Sequence, residues 1–328
     1  MSKIYNIAVV GASGLVGRTM INVLEERNCP INELKLFASA KSVGKEIIFK
    51  NKTHQIQELT KESFKNVDIA LFSAGATVSK EFATVAVDSG CIVIDNGSYW
   101  RLNKDVPLVV PEVNANALLK HNGLIANPNC STIQLVLPLF VINQTYKIKR
   151  VVASTYQAIS GAGQKGLDKY HSEMQGIPNN DKHQIFNNIM FHSPVNNNGM
   201  TIEEEKMLNE TRKILDIPTF NIVVTCVRIP VENSHCISIN IEFESSFDIK
   251  NIEKILSNTK GIVYIPNVGD DYPTPQMSNG NDDIFVGRLR NDESVENGIN
   301  LWIVADNLRK GAATNAIQIA EYIIKNNN

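Results

Sequence analysis

The sequence has no excess of positive charge: 32 Lys and Arg against 34 Asp and Glu leave a formal net charge of −2 over 328 residues. A basic stripe that could neutralise a phosphate backbone is therefore missing, and nucleic acid is excluded as the main partner. No apolar run comes near the roughly eighteen residues of a membrane span. No hydrophobic signal region follows Met1 either, since MSKIYNIAVVG runs straight into an apolar strand, the start expected of a cytosolic chain. A cysteine framework is also absent. Cys29, Cys91, Cys130, Cys226 and Cys236 are odd in number and scattered, as expected of free thiols in a reducing compartment. Cys226 and Cys236 bracket His235 at a spacing that suits no common zinc site, so no metal is assigned. Asparagine clusters at 196–198 and over the last three residues read as loop and chain end.

The length is more than one core needs and suits two domains. Residues 4–10 form an apolar strand, GASGLVG follows at once, and TMINVLEER then spaces its apolar side chains as a helix does. Strand, glycine turn and helix are the setting of a dinucleotide site. Gly11 would allow the tight turn, Gly14 the approach of a diphosphate, and Gly17 close packing of helix on strand. The pyrophosphate would rest on the helix N-terminus, among Ala12, Ser13, Leu15 and Val16. At the end of the second strand another absence is informative. No Asp or Glu lies between Glu33 and Glu46, where an NAD site usually keeps an acid, and Ser39, Lys41 and Ser42 stand there instead. Cationic and hydroxyl partners suit the 2′-phosphate of NADP.

The alternation goes on through VDIALFSA, TVSKEFATVAVDSG, CIVIDNG and GLIAN, which predicts a parallel, doubly wound sheet. The turns after its strands, SAGA (73–76), NGSYWR (96–101) and NPNC (127–130), should face one crevice. Cys130 would then sit in the first turn of a helix whose dipole favours a thiolate, and Pro138 should leave that helix short or kinked. A thiolate beside a nicotinamide suggests one chemistry: it attacks an aldehyde or acyl carbon, and the covalent adduct exchanges hydride with the cofactor.

From residue 149 the pattern becomes α+β. A strand (149–157), the SGAG turn (160–163), a helix at GLDKYHSEM and a long polar loop (176–200) precede a helix at TIEEEKMLNETRKIL. Strands follow at FNIVVTCVRIP and SHCISINIEFE, and the chain ends in an amphipathic helix from 306. Here the residues leave alternatives open. His235 shares strand parity with Ile237, Ile239 and Ile241, so it is either a core histidine or the proton handler. Arg228 suits a bidentate carboxylate clamp or a solvated strand end. Glu203 and Lys206, three apart, form either a plain ion pair or part of a site. Arg101 is a candidate phosphate ligand because its turn faces the crevice.

GASGLVG, LFASAKSVG, NPNCSTIQ, TYQAISGAG, RIPVENSHC and DNLRKGAATNAIQIAE, in this order, resemble the aspartate-β-semialdehyde dehydrogenase family from residue 4 to about 325. The resemblance implies an α/β fold: a Rossmann-type doubly wound NADP-binding domain (1–129 with 306–328) and an α+β catalytic and dimerisation domain (130–305), like glyceraldehyde-3-phosphate dehydrogenase. It implies Cys130 as nucleophile, Gln157 orienting the adduct and His235 as acid/base catalyst. Arg228 would hold the substrate α-carboxylate, Glu203 its amino group, and Arg101, Asn129 and Lys206 the phosphate. Cofactor contacts would come from the glycine turn, Ser39, Lys41, Ser42, Ser73, Gly75, Ser160, Gly161, Gly163 and Asn307. The expected reaction is NADPH-dependent reduction of β-aspartyl phosphate to the semialdehyde by a homodimer or homotetramer. Lys41 stands where the family often has arginine, a point charge in place of a planar fork. The run Glu203-Glu204-Glu205 leaves the acidic ligand uncertain by one position, and Glu203 matches the Glu-x-x-Lys pattern. N-acetyl-γ-glutamyl-phosphate reductase, with a glycine-cysteine-tyrosine-type motif, and a catalytically silent NADP sensor are the rival readings.

Overall fold

The computed structural model describes residues 4–177 and 181–326. Residues 1–3, residues 178–180 of the long loop and the last two asparagines lie outside the described residues. The chain forms two compact units, one of residues 1–129 and 312–328 and the other of residues 130–311.

The first unit begins with β1 (Tyr5–Val10), α1 (Leu15–Glu26) and β2 (Ile31–Ala38). The hairpin β3 (Glu46–Phe49) and β4 (Lys52–Gln55) leads into the short β5 (Gln57–Glu58). Then come β6 (Ile69–Phe72), α2 (Ala76–Asp88), β7 (Ile92–Asp95), the single turn α3 (Pro111–Asn114) and β8 (Leu124–Ala126). Six strands pair in the order β5-β2-β1-β6-β7-β8, all parallel. Such strands are covered on both faces, which is why they read as unbroken apolar runs. Ile7, Val9, Ile69 and Leu71 share one core with Met20, Ile21 and Leu24 of α1, while Phe72 stacks on Phe64 at 5.9 Å. The strand order reverses between β1 and β6, and ligands of open α/β sheets bind at such a switch point.

The second unit opens with α4 (Cys130–Asn143), then β9 (Ile148–Gln157), α5 (Gly163–Met174), β10 (Met190–Phe191) and α6 (Ile202–Leu215). β11 (Ile222–Arg228), β12 (His235–Phe243), α7 (Ile249–Ser257), β13 (Ile262–Ile265) and α8 (Pro275–Ser278) follow, then β14 (Ile284–Asn291) and β15 (Gly298–Ala305). Its sheet is mixed, in the order β10-β11-β9-β12-β15-β14-β13. Helices α4, α6 and α7 pack on one face, which carries Ile237, Ile239, Ile241, Leu301 and Ile303, all essentially fully buried. The opposite face is half-buried and carries Tyr156, Trp302, Ser238 and Asn240. α4 is not cut short at Pro138 and runs 14 residues. Proline there removes one N–H, and apolar burial on nearly every side of α4 outweighs that loss. The last helix, α9 (Thr314–Asn326), starts later than its amphipathic pattern suggests, because residues 309–313 form a wider π turn first. α9 returns to the first unit, where Ile317, Ile319 and Ile323 join the core beside α1.

Candidate active site

In the second unit, strand register lines up the side chains singled out in the sequence. Arg228 is the direct partner of Gln157 across β11 and β9, and Cys236 pairs with Tyr156, which brings His235 opposite Gln157. Arg228, Gln157 and His235 thus form one row across three adjacent strands, on the face that α4 and α6 cover. Arg228 donates from Nη1 to the Ala158 carbonyl at 2.6 Å. A Cβ on Gly161 would lie 2.6 Å from that Nη1 and 3.1 Å from His235 Nε2, so only glycine lets the backbone rest against both side chains.

The three consecutive acids of α6 have three different surroundings. Glu204 closes a capping box with Thr201: its carboxylate accepts from Thr201 N–H at 2.7 Å while its own N–H donates to Thr201 Oγ1 at 3.2 Å. Its other oxygen accepts from Cys226 N–H at 2.9 Å, tying the start of α6 to β11. Glu205 accepts from the Asn196 side-chain amide. Glu203 faces the row, 3.4 Å from Gln157 Nε2 and 3.2 Å from Lys206 Nζ.

Cys130 is the first residue of α4, where helix N–H groups and the dipole favour a thiolate. The other four cysteines are buried, and burial pushes Cys29 and Cys91 up to about 11 and Cys226 and Cys236 up to about 12. Cys130 is partly exposed, and a thiolate there would favour the charged form of Arg228. A Cβ on Gly311 would lie 3.0 Å from Cys130 Cβ, so glycine lets the turn before α9 close over the start of α4. One turn along α4, Gln134 donates from Nε2 to the His235 carbonyl at 3.2 Å and joins the cysteine helix to the histidine strand.

His235 is fully buried, yet it is no ordinary core histidine. Its Nδ1 accepts from Ala158 N–H at 2.9 Å, which leaves the proton of the neutral ring on Nε2. That Nε2 is buried and has no hydrogen-bond partner among the described residues. A buried polar atom left unpaired costs free energy, and such atoms mark functional sites. Burial holds the ring well below its ordinary pKa, Arg228 adds to the effect, and Glu203 partly opposes it. Ser234, just before it, has a left-handed φ of 73° and donates its N–H to Asn307 Oδ1 at 2.9 Å. Asn307 also exchanges hydrogen bonds with Ser160, so both residues brace the backbone beside His235. Gly163, with φ 73°, opens α5.

His192 escaped the sequence reading because it lies in the polar stretch taken as loop. β10 pairs antiparallel with β11, Met190 opposite Arg228 and Phe191 opposite Val227, which carries His192 on to Cys226. Its Nδ1 lies 3.3 Å from the Cys226 carbonyl, and its buried Nε2 has no partner among the described residues. The only sequence signal for it was a histidine in an asparagine-rich stretch that also holds His183.

In the first unit, a groove of about 470 Å³ is lined by Gly11, Ser13 and Gly14 after β1, Ser39 after β2, and Ser73 and Ala74 after β6. Gly11 has φ 88°, and a Cβ there would strike the Ser73 carbonyl at 2.9 Å. On Gly17 a Cβ would lie 2.2 Å from the Gly11 carbonyl oxygen, but on Gly14 the nearest atom would be 3.4 Å away. Backbone is therefore packed tightly at Gly11 and Gly17 and open at Gly14, with Ala12, Leu15 and Val16 between them, as a diphosphate at the start of α1 requires. Gly75, with φ 84°, forms the N-cap of α2. Ser42 reaches Ser13 at 3.1 Å, which ties the loop after β2 to the glycine turn, and Lys41 is exposed beside it. Glu58 also lines the groove, delivered by the β5–β2 pairing opposite Ala38. No local pattern after β2 could have placed that acid there. Arg101 is buried and donates to the Asn96 carbonyl at 2.8 Å, and Asn96 Oδ1 accepts from Asn127 at 2.7 Å. Asn129, also buried, ends this unit.

Comparison with known proteins gives matches over most of the chain. Residues 6–121 match the description "Semialdehyde dehydrogenase, NAD binding domain" and residues 138–310 "Semialdehyde dehydrogenase, dimerisation domain". An aspartate-semialdehyde dehydrogenase of Aquifex aeolicus is 49% identical over 98% of both chains. One of Bacillus subtilis is 43% identical over 100% of this chain and 99% of its own. The crystal structure of aspartate semialdehyde dehydrogenase II of Vibrio cholerae, complexed with ASA, superposes with a TM-score of 0.95 at 42% identity, covering 99% of each chain.

Proposed function

This chain belongs to the semialdehyde dehydrogenase family, and from that premise we infer that it has aspartate-semialdehyde dehydrogenase activity, a step in the biosynthesis of aspartate-family amino acids. The observation that carries the reading is the row of Arg228, Gln157 and buried His235, whose Nε2 has no partner among the described residues, beside Glu203.

Gly11, Ser13, Gly14 and Ser39 of the glycine groove would hold NADP, which would supply the hydride for reduction or take it in the reverse direction. The chain's own residues do the rest. The Cys130 thiolate attacks the acyl carbon of β-aspartyl phosphate, the C–O bond breaks, and phosphate leaves with the electron pair and takes a proton from water. The resulting thioester holds the β-carboxyl carbon on Sγ, and Gln157 orients it. Reduction at that carbon places negative charge on its oxygen, to which His235 Nε2–H can donate a hydrogen bond. The carbonyl then re-forms, the C–S bond breaks, and the electron pair returns to sulfur as the semialdehyde leaves. Arg228 clamps the α-carboxylate, Glu203 takes the ammonium, and Arg101, Asn129 and Lys206 bind phosphate. Residues 1–129 with 306–328 act as the nucleotide domain and 130–305 as the catalytic one. The enzyme works in the cytosol as a homodimer built through the half-buried sheet face of Tyr156 and Trp302.

The test is NADP reduction by purified protein with aspartate semialdehyde plus phosphate, set beside N-acetylglutamate semialdehyde plus phosphate. Turnover of the first alone is expected, lost in Cys130→Ala while NADP still binds. Turnover of the second alone would overturn the substrate, and an active Cys130→Ala would overturn the covalent route.

A further inference from the structure

We propose that His192 is a further substrate-binding residue, whose Nε2 lone pair accepts a hydrogen bond from the substrate's α-ammonium beside Glu203 and so selects an amino-acid semialdehyde over one without the amino group. The proposal rests on the activity inferred above and extends it to a residue outside the motifs that carry the family resemblance.

The geometry begins with β10. Its antiparallel register sets Met190 opposite Arg228 and Phe191 opposite Val227. Side chains alternate along strands, so His192 falls on the same face as Arg228 and Cys226, under α6, while Phe191 is turned to solvent at 64% exposure. The start of α6 is fixed over the same point, because Glu204 accepts the Cys226 N–H at 2.9 Å, and Glu203 is its neighbour.

The ring's orientation then sets its chemistry. A carbonyl oxygen can only accept, so the 3.3 Å contact between Nδ1 and the Cys226 carbonyl requires the proton on Nδ1. Nε2 of the neutral ring is therefore a bare lone pair, buried and without a partner among the described residues. Burial, reinforced by Arg228 and Lys206 and only partly offset by Glu203, lowers the ring's pKa and favours this neutral form. His235 has the opposite arrangement: its Nδ1 accepts and its Nε2 donates. The unit thus carries one imidazole that can give a hydrogen bond, His235, and one that can take one, His192.

What could donate to His192 follows from the substrate's own groups. The carboxylate and the carbonyl of the semialdehyde are acceptors at neutral pH, and the ammonium is its one donor. Arg228 already reaches the Ala158 carbonyl, and Lys206 reaches Glu203. The ammonium, with three N–H groups, can satisfy Glu203 and His192 together.

Two variants separate this role from a structural one. In His192→Asn the side-chain amide takes the place of Nδ1–H and can still donate to the Cys226 carbonyl, but nothing stands in for Nε2. In His192→Gln a polar atom reaches the Nε2 position. Both are assayed against wild type with aspartate semialdehyde and with succinate semialdehyde, which lacks the amino group, each with phosphate and NADP. The expected result is that preference for the amino substrate falls about tenfold or more in His192→Asn, chiefly through KM, and is largely kept in His192→Gln. Equal losses on both substrates, or full preference in His192→Asn, would overturn the proposal. A wild type active on aspartate semialdehyde with unchanged preference in both variants defeats this inference alone. A wild type inactive on aspartate semialdehyde defeats the parent reading, and this inference with it.

Discussion

His235 shows how much one backbone contact decides. Because Ala158 N–H donates to Nδ1, the neutral ring is a donor at Nε2, and burial keeps it neutral. The unfolded chain, with an ordinary value of 6.5, binds a proton that the folded chain refuses. Stability therefore falls as pH drops below about 6.5, by up to ~1.4 kcal/mol per pH unit for this one group. His235→Asn retains an acceptor for Ala158 N–H but loses the titrating ring and the Nε2–H. Guanidinium unfolding at pH 5.5 and at pH 7 should show a smaller acid loss in the variant than in wild type. Turnover should drop by a factor of ~10² to 10⁴, as when a positioned proton or hydrogen-bond donor is removed. An unchanged pH response would mean that the ring is charged in the native state. The three acids 203–205 teach a related lesson: adjacent in sequence, they differ because a capping box claims Glu204 and a loop asparagine meets Glu205.

At the scale of elements, the glycine turn between β1 and α1 separates packing from binding. Gly17→Ala would force a methyl to within 2.2 Å of the Gly11 carbonyl and push α1 off the sheet. A loss of about 1–3 kcal/mol is expected, as for overpacked cores, with weaker nucleotide binding as a consequence. At Gly14, where the nearest atom would be 3.4 Å from an added Cβ, alanine should leave the melting temperature nearly unchanged and still weaken NADP binding. Thermal melts and cofactor titration of the two variants check this. A stable Gly17→Ala, or a Gly14→Ala that binds normally, would contradict it. α4 and α9 show where local rules yield. Pro138 does not end a helix buried on almost every side, and the pattern at 306–313 becomes a π turn before the regular helix begins at Thr314.

Over the whole molecule, the second unit keeps one sheet face only half-buried. Tyr156 and Trp302 meet there at 5.6 Å, and Val223 is 49% exposed on the same side. A half-buried face that exposes such side chains is expected to be covered by a second copy. Sedimentation equilibrium should give twice the chain mass of 36.4 kDa, and Val223→Arg should shift the equilibrium toward the single chain. A wild type that sediments as one chain would rule the dimer out. A mass four times that of the chain would show that the assembly goes beyond this one face.

Much of this protein could be read along the chain. The parallel alternation, the glycine turn, the cysteine at the start of a helix and the motif order all rest on short-range spacing, and spacing of that kind is what periodicity and motifs encode. The resemblance carried by those motifs identified the family. Pairing between distant strands decided the rest. Register put Arg228, Gln157 and His235 in one row and carried His192 from an asparagine-rich loop to Cys226. β5 brought Glu58 to the groove from outside the segment where an acid would be sought. Ala158 and the Cys226 carbonyl set which imidazole nitrogen is bare and which bears a proton. Such contacts join residues far apart in sequence, so no local pattern records them, and they exist only once the sheet has formed.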